Sequence, residues 1–255
     1  MTLDALLSPP RAAKQPGSFD LLRQVPRSAT AGLADFGTGG THPYEEALVR
    51  GQGALRLVDA AGVIPEVHFR VERWLASANR LERGLLKAMR GPVLDIGCGP
   101  GRMVAAASAL GLPALGLDSS TAAAARARAR GACVLVQSVF DPLPDLLEGP
   151  HQRGLLLLDG NIGIGGDPHR LFRRARALSA PGATLLVETD PVRHIATRYQ
   201  ATVHGPGGTM SEPFPWARLG LRALPQIAAT AGWSMESSFS RRGREFAVLR
   251  TAWSS

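Results

Sequence analysis

The chain has 255 residues, 45% of them hydrophobic, enough for one large α/β domain with a buried core and a modest extension. Its two cysteines, Cys98 and Cys133, lie far apart, which argues against a disulfide scaffold and for a reducing compartment, so a cytoplasmic protein is expected. The net charge of +8 would ordinarily raise a polyanion as partner, but Lys14 and Lys87 are the only lysines and the arginines are scattered, so a solvated basic surface accounts for it.

Along the chain, residues 1–20 lack an apolar run of signal-peptide length, and residues 103–117 are interrupted by Ser108, Gly111, Pro113 and Gly116. Neither secretion nor membrane spanning is expected. Residues 1–42 carry Pro9, Pro10, Pro16 and Pro26 and lead into Pro43 without any sustained period, and read as a flexible or loosely packed extension. Residues 43–91 read as an N-terminal cap segment. It comprises a short helix at 45–50, a hairpin from 54–59 and 67–71 around Gly62, and a helix at 75–89 that stops at Gly91 and Pro92.

From residue 92 to 255, apolar strands alternate with helical stretches, the pattern of βαβ units and a mostly parallel sheet. The expected strands are 93–96, 114–117, 133–137, 155–158 and 184–188, with helices starting at Arg102, Thr121, Pro168 and Pro215. Residues 233–240 and 245–251 flank Arg241-Arg242-Gly243 as a terminal antiparallel hairpin. The stretch 192–216, with Tyr199, His204, Met210, Phe214 and Trp216, is long and irregular for a connection. With Tyr44 and Trp74 it is a candidate substrate cap, and a lid without substrate contacts is the alternative.

The chemistry concentrates at Val93-Leu94-Asp95-Ile96-Gly97-Cys98-Gly99-Pro100-Gly101-Arg102, a buried strand, a glycine loop and a helix start. Glycines let the backbone approach a ligand, and the helix start offers N–H groups without partners. The dinucleotide fingerprint is G-x-G-x-x-G, whereas here the third glycine comes one residue early. Asp95 also sets a carboxylate beside the loop, disfavouring a pyrophosphate and suiting a ligand with an ammonium and a sulfonium, as in S-adenosylmethionine. Asp118 ends the next strand, where a Rossmann-like fold presents a carboxylate to ribose hydroxyls. Capping of the following helix by Asp118, Ser119, Ser120 or Thr121 is the competing reading.

The run VLDIGCGPGR, then GLDSS, VLVQSVFDPLP and LLLLDGNIGIGG, resembles the seven-strand class I S-adenosylmethionine-dependent methyltransferases, and within them an actinobacterial-type group of small methyltransferases. The resemblance implies a doubly wound α/β fold with sheet order 3-2-1-4-5-7-6, strand 7 antiparallel, and the cofactor over the carboxyl ends of strands 1, 2 and 4. By position, Asp95, Gly97, Cys98, Gly99 and Gly101 would line the methionine part, and Asp118 with Ser119 the ribose. Many relatives hold the adenine amino group with an acidic residue after strand 3. Val139 stands there instead, leaving adenine to Val139 or Phe140, or to Asp141, with core packing an equal reading for Phe140.

Asp159, Gly160 and Asn161 follow the fourth strand, where cofactor and acceptor meet, Asn161 on the acceptor side. Methyl transfer needs in-line positioning and exclusion of water, and a base only where the acceptor must lose a proton. His169, His194 and His204 are the weak candidates, surface or structural use being the first reading of each. No Cys-x-x-Cys or His-x-x-x-His pair points to a metal. An Asn-Pro-Pro-Tyr-type element, common in nucleic-acid amine methyltransferases, is missing after the fourth strand. The expected reaction is therefore methyl transfer to a small molecule at oxygen or nitrogen. RNA methylation and non-catalytic cofactor binding are the rivals, a nicotinamide oxidoreductase is disfavoured by Asp95, and the sequence specifies no oligomeric state.

Overall fold

The computed structural model describes residues 36, 43–89, 91–145 and 147–252. Apart from Phe36, the expected extension at 1–42 lies outside the described residues. The chain builds α1 (Pro43–Arg50), a hairpin of β1 (Ala54–Asp59) and β2 (Val67–Arg70), then α2 (Val71–Leu75) and α3 (Arg80–Lys87). The expected single helix at 75–89 is thus corrected. Asn79 caps α3 by accepting from Glu82 N–H at 3.1 Å while Glu82 accepts from Asn79 N–H at 2.9 Å, and this reciprocal pair fixes the start after Leu75 has ended another helix.

Beyond this segment run β3 (Val93–Ile96), α4 (Arg102–Ala109), β4 (Ala114–Asp118), α5 (Thr121–Ala129), β5 (Val134–Val136) and β6 (Gln152–Leu157). Two 3-10 turns (Asn161–Gly166), α6 (Pro168–Ala177), β7 (Ser179–Thr189), β8 (Ala196–His204) and β9 (Phe214–Leu219) follow, and α7 (Leu224–Ala229), β10 (Ser234–Arg241) and β11 (Arg244–Arg250) complete the fold. Seven strands form one sheet in the order β10-β11-β7-β6-β3-β4-β5. Numbered along the sheet's own chain order this is 3-2-1-4-5-7-6 read from β5, with β11 antiparallel to β7 and the inner pairs parallel. Parallel strands covered on both faces must be apolar throughout, and Leu94, Ile96, Leu115, Leu117, Leu155 and Leu157 are all buried with Phe172 and Trp233 in one core. Trp233 resolves its polar atom by donating from Nε1 to the Phe172 carbonyl at 3.1 Å.

A second, wholly antiparallel sheet has the order β2-β1-β8-β9. Two expectations are corrected here. The stretch 192–216 is not irregular but supplies β8 and the start of β9, and Pro215 lies in β9 rather than opening a helix. A proline in an edge strand withholds no ladder bond from a second neighbour, and β9 is such an edge. The alternation of buried Leu55, Leu57 and Asp59 along β1 leaves one face to pack with Tyr44, Leu48, Val71, Val203, Phe214 and Trp216, and with Ala123 of α5.

Gly163 joins the two sheets. A Cβ there would overlap the Ala217 carbonyl oxygen and the Trp216 ring, so backbone and indole must give way together. Gly163→Ala is expected to cost about 1–3 kcal/mol and several degrees of Tm, measured by thermal unfolding.

Candidate active site

The carboxyl ends of β3, β4 and β6 meet at a cleft lined by the glycine loop, Asp118, Asp159 and a group of aromatic side chains. Its loop runs from β3 into α4 and turns on glycines. Gly97 has φ 71°, and a Cβ on it would lie 2.7 Å from Asn161 Nδ2; Gly101 has φ 75°, and a Cβ there would lie 2.7 Å from Ala127 Cβ. Only glycine meets both the left-handed backbone and the close approach.

Hydrogen bonds fix this loop from three sides. Gly97 and Cys98 N–H donate to Leu117 C=O at 2.8 and 3.0 Å. Gly99 N–H donates to Asp118 Oδ2 at 2.7 Å, while Asp118 Oδ1 accepts from Ser120 N–H at 2.9 Å. Asn161 Nδ2 donates to the Ile96 and Gly97 carbonyls at 2.8 and 2.7 Å. Asp118 therefore orders the loop as well as facing the cleft, and the α5 N-cap itself is Ser120, which accepts from Ala123 N–H at 3.1 Å. Asn161 lines the cleft with its amide N–H groups committed to the loop, which makes it a positioning side chain.

Of the residues singled out from sequence, Gly97, Cys98, Gly99, Asp118, Ser119, Val139, Asp159, Asn161, Tyr44, Trp74 and Trp216 line the cleft together. Asp95, Gly101, Phe140, Gly160 and Tyr199 stand outside its lining. Asp95 is 4% exposed in the strand floor. Arg170 covers the Phe140 ring at 4.0 Å from its centroid. Tyr199 lies opposite Trp216 in the small sheet, where burial pushes its hydroxyl up to about 12. The histidines are also elsewhere: His169 Nδ1 lies 3.0 Å from Thr230 Oγ1, His204 Nε2 lies 3.0 Å from Thr202 Oγ1, and His194 is exposed. None of the three lines the cleft, which corrects them as candidate bases: His169 and His204 meet threonines elsewhere, and His194 lies in the exposed connection before β8.

Sequence reasoning missed Phe36, Phe69, Arg102, Gln137, Ser138 and Ile164, which also line the cleft. It missed the charge network at its edge as well. Asp159, at φ 55°, donates its N–H to Glu188 Oε2 at 2.7 Å and pairs with Arg73, Arg102 and Arg244. Arg102 and Arg244 both continue to Glu82, which is 1% exposed, and Arg244 to Glu188 at 2.6 Å. The Asn79-x-x-Glu82 cap was the one trace of this in the sequence. On the opposite side Arg174 secures the loop after β5 by donating from Nε to the Val139 carbonyl at 2.7 Å and pairing with Glu148, whose carboxyl is held down at about 2.

The electrostatics decide which ligand fits. Burial, opposed by Arg102 and aided by Asp159 and Asp118, pushes the Asp95 carboxyl up to about 7. The strand ends thus hold clustered carboxylates, a setting for a cationic group and against a pyrophosphate. Burial likewise raises the Cys98 thiol and the Tyr44 hydroxyl, so both keep their protons near neutral pH. An acid raised in the folded state favours folding less as pH rises, so Asp95 lowers stability progressively from about pH 4 to pH 7. A ligand ammonium beside Asp95 would favour the ionised form. Titration with S-adenosylmethionine at pH 7 in buffers of different ionisation enthalpy is expected to release about half a proton, and Asp95→Asn about none.

Sheet order, glycine loop and acidic strand end together define a Rossmann-like enzyme that takes S-adenosylmethionine in place of a dinucleotide. A family model for a methyltransferase domain matches residues 67–238. The chain belongs to that family and is an S-adenosylmethionine-dependent methyltransferase. Among solved structures it is similar to a SAM-dependent methyltransferase from Bacteroides fragilis in complex with S-adenosyl-L-homocysteine, at 20% identity and TM-score 0.66, over 82% of this chain and 93% of that one. It is also similar to a 1,6-didemethyltoxoflavin-N1-methyltransferase from Burkholderia thailandensis, at 15% identity and TM-score 0.51, over 68% and 77%. A third is CalS10, an amino pentose methyltransferase from Micromonospora echinaspora, at 17% identity and TM-score 0.50, over 74% and 100%. No curated protein matches the chain. Among the described residues no helix is long and apolar enough to cross a membrane, and no group of three or more His, Cys, Asp or Glu side chains could hold a metal.

Proposed function

We propose that the enzyme methylates a small molecule at oxygen or nitrogen, in the cleft between the glycine loop and the four-stranded sheet. The observation that carries this reading is the aromatic roof of the cleft. Tyr44, Phe69 and Trp74 from one end of the chain and Trp216 from the other stand over the space beside Gly97 and Gly99. Solved structures of like fold include enzymes named for a toxoflavin precursor and an amino pentose, both small acceptors.

When bound, S-adenosylmethionine supplies an electrophilic methyl group on a sulfonium. In this reading Gly97, Cys98 and Gly99 hold its methionine part with Asp95 in the strand floor behind them, Asp118 and Ser119 hold its ribose, and Val139 its adenine. The aromatic roof excludes water and fixes the acceptor's approach, which can supply much of the acceleration for such a transfer. Tyr44 retains its proton, and Asp118 and Asp159 are engaged by N–H groups or arginines, so the residues around the cleft serve positioning in preference to proton abstraction. In this reading residues 43–91 form the cap segment and 92–255 the catalytic domain. The cysteine usage supports a cytoplasmic setting, and the motif run supports a place in the actinobacterial-type group.

The test supplies S-adenosylmethionine with pools of phenols, nitrogen heterocycles, amines and total RNA, and measures S-adenosylhomocysteine formed. Turnover with a small-molecule pool is the expected result. Turnover with RNA alone, falling steeply with salt, would replace the acceptor class, and tight binding without turnover in any pool would favour a non-catalytic cofactor protein.

A further inference from the structure

Five aromatic side chains line the cleft: Phe36, Tyr44 of α1, Phe69 of β2, Trp74 of α2 and Trp216 of β9. They form a continuous chamber. Tyr44 and Trp74 have centroids 5.6 Å apart, and Phe69 and Trp74 5.3 Å. Within it the Phe36 ring is edge-on to Tyr44 at 5.2 Å and to Trp74 at 6.3 Å, and tilted to Trp216 at 5.5 Å. The rings of this wall thus meet in the edge-on and tilted arrangements that aromatic pairs prefer. The chamber also adjoins the glycine loop, since a Cβ on Gly99 would lie 3.4 Å from the Tyr44 hydroxyl oxygen.

The charges of the cleft narrow the class of ligand further. Its lining includes the carboxylates of Asp118 and Asp159 and the guanidinium of Arg102. Arg102 is spent on Glu82 and Asp159, so the described lining offers no uncommitted guanidinium to an anionic acceptor. Asp159 also meets Arg73 and Arg244. The single negative charge in excess is cancelled by the net positive charge of S-adenosylmethionine, and its sulfonium would repel a cation held close by. A polyol would demand a dense set of hydrogen-bonding groups, and the chamber wall is mostly ring carbon.

We infer that the acceptor is an uncharged, planar aromatic molecule, held by ring contacts with Tyr44, Phe69, Trp74 and Trp216 and reaching the glycine loop beside the Tyr44 hydroxyl. This rests on the small-molecule reading above and names the class of molecule. A matched set of probes tests it: 2-naphthol, its saturated counterpart decahydro-2-naphthol, and the permanently charged N-methylquinolinium. Each is titrated calorimetrically into protein saturated with sinefungin, whose amine replaces the sulfonium's charge. The expected result is 2-naphthol binding about tenfold or more tighter than either other probe, and about tenfold weaker in Trp74→Leu with sinefungin affinity kept within about twofold. Equal binding of the saturated or charged probe by wild-type protein would overturn the inference, whether or not the variant folds. Failure to bind sinefungin at all would instead strike the cofactor assignment, so the two failures read differently.

Discussion

Asp118→Ala is expected to weaken S-adenosylhomocysteine binding about hundredfold, with a lesser loss of thermal stability. The carboxylate accepts from Gly99 N–H at 2.7 Å and from Ser120 N–H at 2.9 Å, so it is the clasp between the glycine loop and the start of α5. Hydrogen bonds to a charged group contribute about 1.5–3 kcal/mol each, and tenfold in affinity corresponds to about 1.4 kcal/mol. Loss of loop order together with a ribose contact therefore reaches about two powers of ten. Gly99 lines the cleft, where water can replace the lost acceptor, whereas the Ser120 N–H is buried and loses its partner, so folding suffers from one of the two bonds and binding from both. Calorimetric titration measures the affinity. A variant binding within about threefold of wild type would mean that the loop orders itself and that the ribose is held by other groups.

The largest effect on stability is expected from Arg102→Leu. The Arg102 side chain is 4% exposed, between Glu82 at 1% and Asp159 at 16%. Removing one member of a buried charged set leaves the others without compensation and costs about 3–5 kcal/mol, a fall in Tm of about 10 °C for a domain of this size. The pH dependence carries a second sign. Burial, the largest influence, pushes the Glu82 carboxyl up, but Arg102, the Asn79 N–H and Arg244 outweigh it and hold it below its ordinary value. A carboxylate lowered in the folded state stabilises fully above the unfolded value and loses that contribution as pH falls through the folded one. Without Arg102 the carboxyl rises, so acid unfolding of the variant should begin at higher pH than in wild type. An unchanged acid midpoint would show that Arg244 alone suffices to hold Glu82 charged.

The parts of the fold legible in the sequence are those whose causes are local. A strand covered on both faces must read as an apolar run, as residues 155–158 do, and a backbone that turns sharply against a ligand must spend glycines, as at Gly97 and Gly101. Asp118 was legible because strand spacing alone brings it beside that loop. The pairing of β1 with β8 was not, since Leu57 meets Val203 from the far side of the intervening domain and neither sequence names its partner. In β8 the alternation is blurred because the outer half, from Ala196 to Gln200, is exposed or half-buried on both faces. The arginine network escaped for the same reason: Arg73, Arg102 and Arg244 are ordinary surface residue types until the fold assembles them on Asp159. Phe36 and Phe69 were visible as aromatics, but only their convergence with Trp74 and Trp216 gives them a place at the cleft.

The four-stranded sheet also sets an order of events during synthesis. Its first hairpin, β1 and β2, leaves the ribosome with the β1 edge unpaired, and that edge stays open until β8 has been made. Closing so long a loop is favoured only once the seven-stranded sheet has brought the ends near. The nascent hairpin is therefore the segment most exposed to wrong pairing, and the acceptor chamber is assembled last. Recombining specificity between such enzymes would accordingly require both halves of the roof to be transplanted together, because β1 and β8, which join the two halves, come from distant stretches of chain.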